Sequence, residues 1–326
     1  MPQSMTPVCV VGEALVDEFH ERRVAGGAPF NLARSLAALL GGEQVLMISR
    51  LGTDDEGARA ILASLRRFGM SAAGLQHDDR QPTGRVTVSE GALGHSFLIH
   101  APAAWDFIAP APELLAVARP RFFCFGTLAL RGEVSRRSIL ALAEQARAQG
   151  SLCYLDLNLR QGSDTPELAG PALARADWLK VNDEELRRLL TWFGTPAAAG
   201  LDPLGPPRLL GPALGGLMQR FGLQRLILTR GAAGYAAFDA AGGVLAEGSG
   251  LAPARLVDTV GAGDGFSAML LAASLAGRPL AAALAEANRY AAALCGERGP
   301  IPDDEAFFRP WRQGLGRPLR TQPAVS

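Results

Sequence analysis

The stretch Asp258-Thr-Val-Gly-Ala-Gly-Asp264 sets three small residues between two carboxylates, and an apolar run over 265–275 comes at once after it. Small residues let the main chain turn tightly and approach a ligand closely. The first turn of a helix has N–H groups without intrahelical partners and carries partial positive charge. Gly261, Ala262 and Gly263 at such a start would form an anion site suited to phosphate. Asp264 would stand where that site begins, and a carboxylate beside phosphate is out of place unless it accepts a proton. Taken alone, the same pattern also describes an ordinary helix N-cap, the commoner meaning of an isolated G-x-G-D.

The elements that must position these residues read as alternating strands and helices. Apolar runs at 8–12, 44–49, 122–125, 152–156, 176–181 and 226–229 read as strands buried in a sheet. Helical spacing is seen over 32–40, where Gly41-Gly42 stops it, and over 54–68, 133–149, 263–276 and 280–294. This pattern predicts an α/β fold with a doubly wound, mostly parallel sheet and flanking helices. In such sheets ligands bind beyond the carboxyl ends of the strands. Asp17, Asn158, Arg160, Asn182, Glu185, Thr229 and Gly231 all fall at those ends. Asn31 falls in the first turn of the helix after Gly26-Gly27, where it serves either a ligand or a plain loop-to-helix junction. Segments 84–89 and 96–100 read as a hairpin, and 235–238 with 244–247 as another. The first hairpin would project from the core as a small β lid. The Pro-, Gly- and Ala-rich segment 192–212 reads as a linker or insertion.

Several classes of function drop out. The 32 basic and 32 acidic residues balance, so nothing points to nucleic acid or an anionic membrane as partner. Lys180 is the only lysine and has no Walker A glycines around it; Gly12, Ala14 and Asp17 stand where a dinucleotide fingerprint would need glycines. His95 and His100 lack metal-ligand spacing on a helix, and the four cysteines form no C-x-x-C. The cysteines read as buried hydrophobes in a reducing compartment. The N-terminus has no signal-peptide pattern, so the expectation is a soluble, cytoplasmic protein.

Gly26-Gly-Ala-Pro-Phe-Asn31 and Asp258-Thr-Val-Gly-Ala-Gly-Asp264 resemble the two signatures of the ribokinase-like, or PfkB, family of carbohydrate kinases. Asn182-Asp-Glu-Glu185 is similar to the N-x-x-E element between them, and the resemblance runs from Val8 to about Pro302. It implies a ribokinase-like kinase domain over 1–317, a β lid from segments near 13–25 and 84–106, and a disordered tail over 318–326. Asp264 would be the general base toward a sugar hydroxyl, with Gly261, Ala262 and Gly263 as the anion hole for the γ-phosphoryl of ATP. Asp17, Gly26, Gly27, Asn31 and Arg160 would meet the sugar. Asn182, Thr229, Gly231, Gly234 and Asn288 would border the nucleotide. Asn182 and Glu185 would organise Mg²⁺ through water, and Asp258 a monovalent cation such as K⁺, as in some relatives.

Within the family, Gly12-Glu-Ala-Leu-Val-Asp17 and the stretch 96–106 look most like fructokinases. Two departures stand out. Asn158-Leu-Arg160 runs into Gln-Gly-Ser-Asp where relatives often carry an aromatic residue, and the lid turn has Gly94-His95 where fructose-preferring relatives often have arginine. Arg160 therefore faces either phosphate or a substrate carboxylate. A 2-keto-3-deoxygluconate kinase, a nucleoside kinase and a non-catalytic binding homologue stay open beside the fructokinase-like reading. The family also implies a homodimer through the lid.

Overall fold

Val8, Cys9, Val10 and Val11 expose no surface. Alternate side chains of a strand leave opposite faces, so Val8 and Val10 join one apolar layer while Cys9 and Val11 join the other. A strand buried on both faces belongs at the centre of a parallel sheet. The computed structural model describes residues 6–19, 23–91, 94–160 and 162–316. Its strands in chain order are β1 (Val8–Val11), β2 (Leu15–Glu18), β3 (Arg23–Gly26), β4 (Val45–Gly52), β5 (Leu75–Asp78), β6 (Gly84–Gly91), β7 (Gly94–Ile99), β8 (Phe122–Phe125), β9 (Leu152–Asp156), β10 (Trp178–Asn182), β11 (Arg225–Thr229), β12 (Tyr235–Asp239) and β13 (Val244–Gly248). The helices are α1 (Ala28–Leu40), α2 (Glu56–Arg67), α3 (Pro112–Ala118), α4 (Glu133–Ala148), α5 (Pro166–Leu173), α6 (Asp183–Phe193), α7 (Gly211–Phe221), α8 (Ala262–Leu275), α9 (Leu280–Leu294) and α10 (Glu305–Leu315).

The main sheet has nine strands in the order β13-β12-β11-β10-β9-β8-β1-β4-β5. From β5 to β11 every pairing is parallel, and β12 and β13 add an antiparallel edge. The chain winds from β1 toward β5 and then crosses back to β8 beside β1, so the topological switch lies between β1 and β8. Apolar side chains of α1, α2, α8 and α9 cover one face. Those of α3 to α7 cover the other. The expected doubly wound architecture is therefore present. No helix among the described residues is long and apolar enough to cross a membrane.

A second sheet, in the order β3-β2-β6-β7, joins the expected hairpin β6–β7 to a pair of short strands. Leu15, Val86 and Val88 form its small apolar core. Strands β2 and β3 fall in and beside segment 13–25, which the family resemblance assigned to the lid, while strand alternation alone pointed only to β6 and β7.

Other expectations need correction. The second helix starts at Glu56, with Asp55 as cap, its carboxylate accepting from the Ala58 N–H; Asp54 precedes the cap at φ +56. Segment 192–212 is not featureless, since it holds the end of α6, two short 3-10 turns and the start of α7. Helix α7 contains Gly-Gly and Pro, poor helix formers, and is held in place by burial of Leu214, Leu217 and Met218. A further helix, α10, comes after α9 and buries Phe308. The tail 318–326 and the lid-turn residues Ala92 and Leu93 lie outside the described residues.

Gly27 sets the start of α1. It takes φ +97, and a side chain there would meet the Glu13 carbonyl oxygen at 2.7 Å. Gly27→Ala is expected to destabilise by about 1–3 kcal/mol, since strained backbone and overpacking act together. Urea unfolding monitored by circular dichroism measures the loss; an unchanged midpoint would contradict the strain.

Candidate active site

A cleft of about 1070 Å³ opens beyond the carboxyl ends of β1, β9, β10 and β11. Leu15, Asp17, Val86 and Ile99 of the small sheet line one wall. The position obeys the rule for open α/β sheets. Among the residues expected from sequence, Asp17, Gly27, Asn31, Arg160, Asn182, Glu185, Thr229, Gly231, Gly234, Asn288, Gly261, Ala262, Gly263 and Asp264 all line it. Gly26 and Asp258 stand behind the lining.

Helix α8 begins at Ala262, and its N-cap is Gly261, in the left-handed region at φ +78 with no side-chain cap. A side chain at 261 would come within 2.6 Å of the Pro300 Cα. Asp264 sits in the first turn and does not cap the helix, so the ordinary N-cap reading is excluded. The Ala262 N–H reaches the Thr259 carbonyl at 3.3 Å. Burial pushes the Asp264 carboxyl up to about 6; the Asp156 charge adds to the rise, while Asn31, Lys180 and Arg160 pull against it.

Asn31 of α1 donates from Nδ2 to Asp264 Oδ2 at 2.9 Å, and is 6% exposed. Its amide cannot turn around, because Arg34 only donates and gives an N–H from Nη2 to Asn31 Oδ1 at 2.5 Å. Arg34 is buried, also donates to the Ala25 carbonyl, and burial lowers its guanidinium to about 10. Asp264 is therefore the acceptor of the Asn31 bond. Asp17 is pushed up to about 6 by burial, with Arg34 and Arg160 opposing. Gly26 backs directly onto the Asp17 carboxylate, leaving no room for a side chain there. Arg160 is exposed, and its charge acts on Asp17, Glu13 and Asp264.

Lys180 and Asp156 were missed by sequence reasoning as site residues. Lys180 Nζ lies 3.0 Å from both Asp156 oxygens, and Asp156 Oδ2 also accepts from Ser267 Oγ at 2.9 Å. A Cβ on Gly263 would sit 3.0 Å from Nζ, so the ammonium lies against the first turn of α8. Burial works against the Lys180 charge, but Asp156, Glu185 and Asp264 outweigh it and the net shift is upward. The signal available in the sequence was that this lone lysine, among 31 arginines, interrupts an apolar strand two residues before Asn182.

The N-x-x-E element is a capping box in this structure. Asn182 Oδ1 accepts from the Glu185 N–H at 2.8 Å, and Glu185 Oε2 from the Asn182 N–H at 2.9 Å. Glu185 Oε1 accepts from the Leu159 N–H at 2.9 Å. Burial raises the Glu185 carboxyl, and Lys180 pulls it back. Each oxygen keeps a further lone pair for a donor such as metal-bound water. The described residues contain no cluster of three or more His, Cys, Asp or Glu able to cage a metal directly.

The remaining expected residues are mostly tied to main chain. Asp258 accepts from the Val260 and Gly299 N–H groups, each at 3.0 Å. Thr229 donates to the Val181 carbonyl and Asn288 to that of Ser249. Leu251, Leu256 and Val260 expose apolar surface at this end of the cleft, away from the carboxylates.

Comparison with known proteins agrees with this architecture. The pfkB family carbohydrate kinase model matches residues 5–306. A fructokinase of Klebsiella pneumoniae is 30% identical over 329 residues, covering 96% of this chain and 99% of that protein. The structure of Arabidopsis thaliana ribokinase complexed with ribose and ATP has a TM-score of 0.76 at 21% identity, covering 95% of this chain and 99% of the other. That of Xylella fastidiosa fructokinase with bound ATP has a TM-score of 0.75 at 20% identity, covering 95% and 98%. At these identities the two structures speak for the fold, while the family match spans nearly the whole chain. The protein belongs to the pfkB family of carbohydrate kinases.

Proposed function

We propose that the protein transfers the γ-phosphoryl of ATP to a primary hydroxyl of a small sugar, fructose or a close analogue, with Asp264 as general base. The observation that supports it most is the placement of a half-buried carboxylate in the first turn of α8, beside the uncapped Gly261 turn and against the Lys180 ammonium. Phosphoryl transfer needs positioning and charge neutralisation more than covalent help. The main chain of Gly261, Ala262 and Gly263 forms the anion hole, and Lys180 adds a full positive charge beneath it. Asp17 and Asn31 hold the sugar hydroxyls, with Gly26 and Gly27 keeping the main chain close. Asn31 then exchanges its bond to Asp264 for one to the sugar. The nucleotide lies along Thr229, Gly231, Gly234 and Asn288, its base against Leu251 and Leu256. The donor set of Asn182 and Glu185 fits hydrated Mg²⁺ held through its waters, since the ion keeps much of its hydration shell. When bound, Mg²⁺ supplies charge neutralisation on the phosphate oxygens. Asp258, with both oxygens taken by main chain, is the least supported of the ligands and is kept for K⁺ only.

The small sheet serves as a lid over the sugar end, and its exposed edge is where two copies would pair. Sedimentation at the mass of one chain would remove that dimer. Four free cysteines suit the reducing cytoplasm. Arg160, whose charge reaches Asp17 and Asp264, favours an acidic sugar such as 2-keto-3-deoxygluconate as the second reading.

A coupled ADP-release assay over fructose, acidic sugars and nucleosides tests the whole reading. Asp264→Asn is expected to lower kcat by about 10²–10⁴-fold with little change in the sugar KM. Wild-type turnover no higher than that of the variant, with every acceptor, would leave a non-catalytic binding protein; turnover of acidic sugars alone would move the substrate to the second reading. Asp264 must be ionised to accept the proton, so the rate is present above about pH 6 and lost below it.

Lys180→Met leaves Asp156 buried without its partner, which costs about 3–5 kcal/mol. It also removes the cation from the anion hole, with an expected fall in kcat of about 10²-fold. Adding Asp156→Asn to Lys180→Met restores the melting temperature and not the rate. Recovery of both would make the pair purely structural.

A further inference from the structure

Glu13 has no role in the reaction just proposed, yet it is 2% exposed and lines the same cleft. It comes directly after β1, at the switch point between β1 and β8. Its carboxylate is reached by its own N–H and by that of Ala28, the first residue of α1. Oε2, however, has no hydrogen-bond partner among protein groups. A buried carboxylate oxygen without a partner costs about 1–3 kcal/mol or more, so its surroundings matter.

Beside Glu13 lies a recess of about 20 Å³ whose wall is mostly apolar, with Glu13, Asp264, Asp156, Asn158 and Thr127 as its polar residues. That volume admits one water and is far too small for a sugar ring; a buried water needs two to four polar partners. Glu13, Asp264 and Asn158 are among the polar residues on its wall. A metal ion is a poor occupant, since the described residues hold no cluster suited to one.

We propose that Glu13 and Asp264 share a proton through a single water in this recess, so that Glu13 holds the proton Asp264 takes from the substrate hydroxyl until product leaves. The inference rests on the kinase reading for the source of that proton. In the transfer the hydroxyl O–H bond breaks, its electron pair forms the new O–P bond, and the proton passes to Asp264. The water then gives a proton to Glu13 Oε2 and takes the one on Asp264, ending unchanged. The charges facing Glu13 are Asp264 and Arg160, with Asp156 across the recess held by Lys180. Burial pushes the Glu13 carboxyl up to about 7 and the Asp264 carboxyl up to about 6, so both groups exchange a proton within the same range. Glu13 does not touch the sugar and acts only through Asp264.

Two measurements test it. Difference infrared titration of protein labelled with ¹³C-carboxyl glutamate, with Glu13→Gln to assign the band, reads the protonation of Glu13 without any turnover. A protonated band titrating near neutral pH is expected, and its midpoint should fall in Asp264→Asn, where the neighbouring charge is gone. A midpoint unmoved by Asp264→Asn overturns the shared proton whatever the enzyme phosphorylates. In the second measurement the wild-type kcat should show a step near pH 7 above the one near 6. Glu13→Gln keeps an oxygen for the Ala28 N–H; it should lose the upper step and lower kcat about tenfold, with both KM values unchanged. A raised sugar KM with intact kcat would make Glu13 a sugar ligand, and an intact pH profile with a lower melting temperature would make it a helix support; either result overturns the relay. Failure of every acceptor sugar sinks the kinase reading alone, because the infrared coupling is still decided.

Discussion

One ammonium group holds the site together. Lys180 is the only lysine of the chain, and its Nζ is buried among Asp156, Glu185 and Asp264. Three carboxylates gathered in a low-dielectric cleft repel one another and would repel a polyphosphate still more. Lys180 offsets part of that charge at the one place where α8 also presents its positive end. The cation is fixed from below by Asp156, which Ser267 of α8 holds in turn. Strand β9, strand β10 and helix α8 are thereby joined at the point where the anion would sit.

The second constraint is topological. Asn31 and Asp264 lie 233 residues apart in sequence, yet one hydrogen bond of 2.9 Å joins them. Both belong to helices packed on the same face of the sheet, α1 after the central strand β1 and α8 after the antiparallel edge. Their N-termini converge because each runs back over the carboxyl ends of the parallel strands. Arg34, one turn below Asn31, decides which end of the amide faces Asp264. The geometry at Asp264 thus depends on a buried side chain that reaches it only through Asn31.

Much of the architecture was legible because parallel strands buried on both faces leave unbroken apolar runs, as in Val8–Val11 and Phe122–Phe125. The Gly-Ala-Gly-Asp turn was legible because only small residues tolerate a left-handed φ and the close approach of Pro300 at Gly261. Helices α7 and α10 were not, since both contain residues that disfavour helix and are stabilised by the apolar side chains they bury. The N-x-x-E element shows how one pattern carries two meanings. Its spacing is that of a capping box, and the side chains are bonded as one, with lone pairs to spare for a hydrated metal.

The sequence by itself determined the alternation of the buried strands with their longer helices, the turn at Gly261 to Gly263 and the ends of strands where polar residues collect. Those features are local, written in periodicity, in small residues and in the polar residues that end an apolar run. Only the tertiary structure decided that Asp264 is no cap, that Lys180 lies against the first turn of α8, and that Glu13 and Asp264 line one small recess. Each of these depends on distances between residues far apart in the chain, and on burial that changes the behaviour of a carboxylate or an ammonium. The Gly-rich stretch marks a turn that favours an anion; the packing around it gives Asp264 the raised carboxyl that the proposed base role calls for.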